Sequence, residues 1–187
     1  MLEFKGMYEA QKAFRSRIDY KGSDRFEKLI LSLQVELGEC ANEWRGFKFW
    51  SENQESITSK NTCEHCNRYG MKSCCGCEGK LYVNPLLEEY SDGLHFILDL
   101  GIEIYFEDFE MIYRLSSKDK DKSVSSQFNR IFSLVARFNW NKSPITYIEL
   151  ISEYLILGEL LGFSFEQIEE AYYQKNAVNH SRQNEGY

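Results

Sequence analysis

Residues 24–44, DRFEKLILSLQVELGECANEW, decide the fold. Apolar side chains recur through this stretch at the spacing of an amphipathic helix, and Asp24 followed by Glu27 matches a capping box at its start. Beside the apolar stripe lie three carboxylates at i, i+3 and i+7: Glu36, Glu39 and Glu43. The sequence therefore predicts a core-facing helix with acidic side chains gathered on one of its faces.

Further helices are predicted on both sides of this one. The chain has only two prolines, Pro85 and Pro144, and each follows Asn or Ser and precedes an apolar run, as is typical of a helix start. Ser164 and Gln167 form a second capping-box pattern. Apolar spacing predicts helices over about 4–18, 84–100 with Gly101 as its stop, 128–135, 144–161 and from 164 onward. We expect an all-α helical bundle, a single domain over residues 1–187.

Composition and charge exclude several classes of protein. The chain has 187 residues, of which 43% are hydrophobic and 27% charged, as in folded globular domains. Its net charge of -7 argues against a protein that binds nucleic acids or anionic membranes. No run approaches the roughly 18 apolar residues of a transmembrane helix, and the first residues lack the apolar core of a secretory signal. We therefore expect a cytoplasmic protein.

A second pair of carboxylates lies on the next long helix. Glu89 and Asp92 are three residues apart beside an apolar stripe, and His95 follows at the same spacing. Carboxylate oxygens are the ligands that Mg²⁺ prefers, and helical bundles build metal sites between facing helices. The sequence predicts such a site from Glu36, Glu39, Glu89 and Asp92. The alternative is an acidic face exposed to solvent.

Two other features suit a phosphorylated substrate. Near the C-terminus, a stripe of phosphate-binding residue types at i, i+4 and i+7 consists of Lys175, Asn179 and Arg182. The alternative is a solvated helix end whose basic residues meet the helix dipole favourably. Gln11 lies on the core-facing stripe of the first helix, where its amide must find partners, either a ligand or the neighbouring backbone.

Three blocks of sequence resemble one family. Residues 35–51 are VELGECANEWRGFKFWS, residues 86–101 are LLEEYSDGLHFILDLG, and residues 171–187 are AYYQKNAVNHSRQNEGY. Together with AQKAF around Gln11, they resemble the all-α dimeric dUTP diphosphatases, relatives of the MazG-type nucleotide pyrophosphatases. The aromatic FKFW and the closing KNxxNxxRQxxGY are the most specific parts. The resemblance runs from residue 11 to the end, apart from a cysteine-rich insert.

The resemblance implies hydrolysis of dUTP to dUMP and pyrophosphate by water attacking the α-phosphorus, which limits uracil in DNA. It implies Mg²⁺ ligands at Glu36, Glu39, Glu89 and Asp92. Glu36 would also orient and deprotonate the water. Contacts to uracil and deoxyribose are implied for Gln11, Trp50 and His95. Contacts to the phosphates are implied for Lys48, Lys175, Asn179, Arg182 and Tyr187. The family further implies a homodimer, and dUDP is a second candidate substrate.

Five of the six cysteines lie between residues 63 and 77. Their pattern is Cys63-x2-Cys66-x7-Cys74-x2-Cys77, with Cys75 inside the second pair. In a cytosolic protein, two such pairs favour four thiolates around a structural Zn²⁺, with His65 and Cys75 as alternative ligands. Reduced thiols, a redox pair and an iron–sulfur cluster are the other interpretations. We take residues 52–83 as the Cys-rich insert, a zinc knuckle within the domain.

Two other functions stay open from the sequence. One is a MazG-like nucleoside triphosphate pyrophosphatase of other specificity, which would need the same carboxylates. The other is a non-catalytic regulator that binds a partner protein through its cysteine knuckle. Four converging carboxylates favour an enzyme, because a pure binding module has no use for them.

Overall fold

The computed structural model describes residues 4–69, 71, 76, 82–109, 112 and 123–186. Seven helices lie in these residues: α1 (Phe4–Arg15), α2 (Arg25–Trp44), α3 (Glu64–Tyr69), α4 (Pro85–Glu103), α5 (Val124–Asn141), α6 (Pro144–Leu160) and α7 (Phe165–Asn184). Two strands of two residues each, β1 (Lys60–Asn61) and β2 (Tyr82–Val83), pair antiparallel. The prediction of an all-α fold is confirmed for the described part of the chain, with this small ladder beside the helices.

Helix α4 organises the core. It packs against α1, α2, α6 and α7, and most of its side chains are buried. Helix α6, apolar on nearly every face, packs against α5 and α4. This arrangement explains why α6 carries apolar residues on nearly every face, because a helix enclosed by others needs no polar face. It also brings α2 and α7, which carry the predicted site residues, onto the same central helix.

Gly101 does not end α4, contrary to the sequence prediction. The helix continues through it to Glu103, and Gly101 is buried where α4 approaches α6. A Cβ at this position would lie 2.3 Å from the hydroxyl oxygen of Tyr147, a distance that no packed side chain could keep. The glycine therefore serves a close helix contact, which local sequence rules do not distinguish from a helix stop.

The two predicted capping boxes differ in outcome. At the start of α7, the Ser164 side chain accepts from the Gln167 N–H, and the Gln167 side chain accepts from the Ser164 N–H. That prediction is confirmed. At the start of α2, Asp24 makes no side-chain capping bond, because its carboxylate is engaged by the Tyr20 hydroxyl and by Lys28. The Tyr20 hydroxyl and the Lys28 ammonium thus take the place of the backbone N–H group that Asp24 would bind in a capping box.

The cysteine-rich segment leaves and rejoins the bundle at one place. The Ile57 N–H donates to the Glu43 carbonyl of α2, and the Ile57 carbonyl accepts from the Leu86 N–H of α4. The β1–β2 ladder then closes the segment at its base. Cys63 and Cys66 are buried there, whereas Cys74 and Cys77 lie outside the described residues. In the described part, no helix is long and apolar enough to cross a membrane.

Candidate active site

Carboxylates of α2 and α4 converge where the two helices pack. Glu36, Glu89 and Asp92 each offer one oxygen to a group whose members lie within 4.8 Å of one another. All three side chains are half-buried, so they are not simply a solvated acidic surface. Glu39, the fourth predicted ligand, is exposed and lies outside this group. Its charge nevertheless contributes to the raised pKa of Glu89.

Burial and, after it, mutual repulsion make these acids hold protons more tightly than usual. Burial, followed by the charges of Asp92 and Glu39, raises the pKa of Glu36 to about 7. Burial, followed by the charges of Glu39 and Glu36, raises the pKa of Glu89 to about 7. Burial also raises the pKa of Asp92, although its bond to Lys175 opposes the shift. Such a set of oxygen donors, short of positive charge, fits a hard divalent cation.

Lys175 of α7 faces this cluster. Its Nζ lies 2.6 Å from Asp92 Oδ2 and 3.4 Å from Glu88 Oε1. The Lys175 side chain is only 17% exposed, as is that of Asp92. The predicted phosphate stripe and the predicted metal ligands are therefore neighbours, which the sequence could not establish because 83 residues separate this pair.

A cavity of about 480 Å³ opens beside the cluster, a volume typical of small-ligand sites. Charged and polar groups on its wall are Gln11, Arg25, Lys28, Ser32, Glu36, Asp92, His95, Asp99, Lys175, Asn179 and Arg182. Aromatic and aliphatic side chains complete it: Phe14, Ile18, Tyr20, Leu29 and Phe96. Carboxylates, basic and amide side chains and apolar side chains thus share the wall of one cavity.

A buried network surrounds the Gln11 amide. Gln11 Nε2 donates to Asp99 Oδ2 at 3.3 Å, and Gln11 Oε1 lies 2.8 Å from His95 Nδ1. The Tyr172 ring stacks on the His95 ring with centroids 4.1 Å apart. Burial, with a smaller effect of the Lys175 charge, lowers the pKa of His95 to about 3, so the imidazole is neutral at working pH. Arg15 balances the charge of Asp99 through a 2.8 Å ion pair.

Two of the predicted substrate contacts, Lys48 and Trp50, are not among the residues that line the cavity. The Lys48 ammonium donates to the Asn42 side chain, and Trp50 is 66% exposed with its ring packed edge-on against Phe49. Tyr187 lies outside the described residues.

Sequence reasoning missed three residues of the network: Arg15, Asp99 and Tyr172. One signal was present, because Asp92, His95 and Asp99 follow one another at i, i+3 and i+7 and so share a face of α4. Arg15 and Tyr172 gave no comparable signal, since each of them meets α4 from a different helix.

A comparison with protein families bears on this arrangement. The family model described as dUTPase matches residues 3–67 and 78–187, and so covers nearly the whole chain. The chain belongs to the dUTPase family. Among curated proteins, no sequence matches it. The two matched stretches contain every predicted site residue except Cys74 and Cys77, which fall in the ten unmatched residues 68–77.

Membership confirms the family expected from the sequence blocks. This dUTPase is a dUTP diphosphatase, and dUTP is its substrate. The family typically uses a divalent metal, and the cluster of Glu36, Glu89 and Asp92 is an acidic group that fits one.

Cys40, between the acidic residues of α2, is fully buried, and burial raises the pKa of its thiol well above the usual value. It packs in the core as a small apolar side chain.

Proposed function

We propose that the protein hydrolyses dUTP to dUMP and pyrophosphate with Mg²⁺ as cofactor, by attack of water on the α-phosphorus, and so limits uracil in DNA. The observation that carries this proposal is the shared cavity. Glu36 and Asp92 line it together with the phosphate-binding types Lys175, Asn179 and Arg182. Phosphoanhydride hydrolysis needs mainly positioning and charge neutralisation, and both are provided by side chains on this wall.

The donor set supports Mg²⁺. Half-buried carboxylates within 4.8 Å of one another repel unless a cation or protons intervene. Burial, followed by this repulsion, raises the pKa values of Glu36 and Glu89. We propose Glu36, Glu89 and Asp92 as ligands, with Glu39 joining them from the rim. When bound, Mg²⁺ supplies positive charge at the phosphoryl oxygens and makes a nearby water more acidic.

Glu36 is the proposed base. Of the three clustered carboxylates, Glu36 and Asp92 also line the cavity, whereas Glu89 does not. Asp92 is engaged by Lys175 at 2.6 Å. We therefore propose that Glu36 orients the attacking water and accepts its proton.

The remaining cavity residues divide between the two ends of the substrate. Lys175, Asn179 and Arg182 would bind the phosphates. Gln11 and His95, beside the apolar wall, would contact uracil or deoxyribose. Lys48, Trp50 and Tyr187 are proposed contacts on the resemblance alone. Because Trp50 is exposed and lies outside the cavity wall, its role would require movement of its loop or a second subunit.

We propose a homodimer. Leu31 is 61% and Val35 48% exposed, one turn apart on α2, and Phe49 is 84% exposed just after that helix. Exposed apolar side chains on the helix that carries Glu36 are typical of an interface. Sedimentation equilibrium should give twice the mass of the chain, and the double variant Leu31→Glu, Val35→Glu should give the single mass. Single mass for the unchanged protein would contradict the proposal.

Structural zinc is proposed for the insert. Cys63 and Cys66 are buried one helical turn apart at the start of α3, and the Cys63 N–H donates to the Asn61 side chain. We propose Cys74 and Cys77 as the other ligands. Elemental analysis of protein purified without chelator should find one zinc per chain, reduced in Cys66→Ser but not in Cys40→Ser. Absence of zinc from the unchanged protein would contradict this.

A panel of nucleotides tests the function. The protein is incubated with dUTP, dCTP, dTTP and UTP in the presence of Mg²⁺, and the release of monophosphate and pyrophosphate is measured. We expect rapid release from dUTP alone, abolished by EDTA. Comparable hydrolysis of all four nucleotides would indicate a MazG-like pyrophosphatase of broad specificity, and release of orthophosphate would contradict attack at the α-phosphorus. A parallel reaction with dUDP tests the second candidate substrate.

A further inference from the structure

His95 is a cavity-lining residue, and one of its ring nitrogens is buried without a hydrogen-bond partner among the described residues. Its side chain is 5% exposed, and the unpartnered atom is Nε2. Buried polar atoms are rarely left without partners, so an orphan beside a cavity points to a group on the ligand. Whether Nε2 would donate or accept depends on which ring nitrogen carries the hydrogen.

The partner of the other ring nitrogen sets that choice. His95 Nδ1 lies 2.8 Å from Gln11 Oε1, an atom that can only accept. The Nδ1 of a neutral imidazole must then carry the hydrogen, which leaves a lone pair on Nε2. A hydrogen on Nδ1 requires the Gln11 amide to keep its orientation, since a flipped amide would present its NH₂ group to Nδ1 and move the hydrogen to Nε2.

Asp99 fixes the orientation of that amide. Its Oδ2 accepts from Gln11 Nε2 at 3.3 Å, and a flipped amide would place the Gln11 oxygen at that distance from the carboxylate oxygen. Burial raises the pKa of Asp99, and Arg15 opposes that shift. The Arg15 guanidinium donates to Asp99 Oδ1 at 2.8 Å and to the Asp99 carbonyl at 3.2 Å, and so favours the ionised carboxylate. Tyr172, by contrast, would favour the flipped orientation of the Gln11 amide. Its hydroxyl already donates to the Met7 carbonyl at 2.8 Å and lies 3.2 Å from Gln11 Oε1, so a flipped amide could donate to it.

We propose that Asp99 is a positioning residue for base specificity: acting through Gln11, it holds His95 with its hydrogen on Nδ1, so that Nε2 accepts the N3–H of uracil. The inference rests on the proposed contact of His95 with the base. Uracil carries a hydrogen on N3, whereas neutral cytosine has a lone pair there. The fixed imidazole therefore attracts uracil and repels cytosine, and sites that read hydrogen-bonding groups discriminate more strongly than sites that read shape alone.

The tautomer is measurable without substrate. The chain has only three histidines, so ¹⁵N spectra of labelled protein resolve each imidazole, and His95→Gln assigns the signal. We expect the protonated nitrogen of His95 to be Nδ1 in the unchanged protein. In Asp99→Asn the repulsion that opposes the flip is gone, and we expect the hydrogen to move to Nε2. A wild-type signal with the hydrogen on Nε2 would overturn the proposal, and this measurement does not depend on how the variant folds.

Glu103→Gln is the matched control. Glu103 also pairs with Arg15, but it makes no bond to Gln11, so this variant should keep the tautomer and the specificity of the wild type. For Asp99→Asn, we expect the ratio of kcat/KM for dUTP to that for dCTP to fall by at least about tenfold, as for loss of one hydrogen bond. A folded Asp99→Asn protein with an unchanged ratio would contradict the specificity role. Failure of dUTP hydrolysis by the unchanged protein would instead contradict the proposed function.

Discussion

Tyr90 and Tyr154 each donate a hydroxyl hydrogen bond to the main-chain carbonyl of the other. The Tyr90 hydroxyl lies 3.1 Å from the Tyr154 oxygen, the Tyr154 hydroxyl lies 2.6 Å from the Tyr90 oxygen, and the rings stack with centroids 4.6 Å apart. Neither side chain is exposed. This reciprocal pair fastens α4 to α6, and Tyr90 follows directly after Glu89. The carboxylates of α4 thus project from a segment held rigidly in the core.

Two glycines, Gly93 and Gly158, make room for the Tyr154 and Tyr90 hydroxyls. Gly93 gives a stability prediction. A Cβ at Gly93 would lie 2.2 Å from the Tyr154 hydroxyl oxygen, so Gly93→Ala must displace a buried ring. We expect a loss of about 1–3 kcal/mol in the free energy of unfolding, measured by urea denaturation. Gly38→Ala on α2, where the new Cβ would have no atom within 4 Å apart from its chain neighbours and the local helix backbone, should instead gain about 0.5–1 kcal/mol. Equal effects of the two substitutions would contradict the packing argument.

Glu36→Gln should separate binding from catalysis. The amide keeps the shape of the side chain but cannot accept a proton, so we expect normal folding, retained dUTP binding and a kcat at least about 100-fold lower. The control is Glu43→Gln, which changes an acid of the same helix outside both the carboxylate cluster and the cavity wall. Wild-type kcat in Glu36→Gln would remove Glu36 from the role of base.

Arg182→Ala tests the phosphate contacts. Loss of a hydrogen bond to a charged group is worth about 1.5–3 kcal/mol, so kcat/KM for dUTP should fall about 10- to 150-fold. Arg137→Ala removes an arginine paired with Glu149 far from the cavity wall and should leave kcat/KM unchanged. If both variants match the wild type, Arg182 belongs to a solvated helix end.

The carboxylate cluster predicts an unusual pH dependence for the metal-free protein. Glu36 and Glu89 have pKa values of about 7 in the fold against an ordinary 4.5, so the folded state binds protons more tightly than the unfolded one. Their stabilising contribution to the free energy of unfolding is fully present below pH 4.5 and is lost as the pH rises through 7. The Tm measured in EDTA should therefore decline over that window, less so in Glu36→Gln. Adding Mg²⁺ should raise Tm most at the alkaline end, where the carboxylates are ionised.

The sequence predicted the structural features that depend on local pattern, and it did not predict those that depend on contacts between residues distant in the chain. Helical spacing located α2, α4 and α7 and paired the acids of the first two, because periodicity reports which face is buried. The same rules misread Gly101 and the Asp24 cap, since Tyr147 and Tyr20 determine those outcomes. Asp99 was visible as an acid of α4, but its importance depends on Gln11 and Arg15 from α1, a contact that no local window contains.

The short β1–β2 ladder has an evolutionary consequence. It places the two ends of the cysteine segment side by side, so any peptide between them is a closed loop, and the entropy of closing a loop grows only with the logarithm of its length. The family match omits ten residues in just this segment. The peptide can therefore change in length at little cost in loop-closure entropy while the catalytic helices keep their register, provided that the proposed zinc ligands are retained.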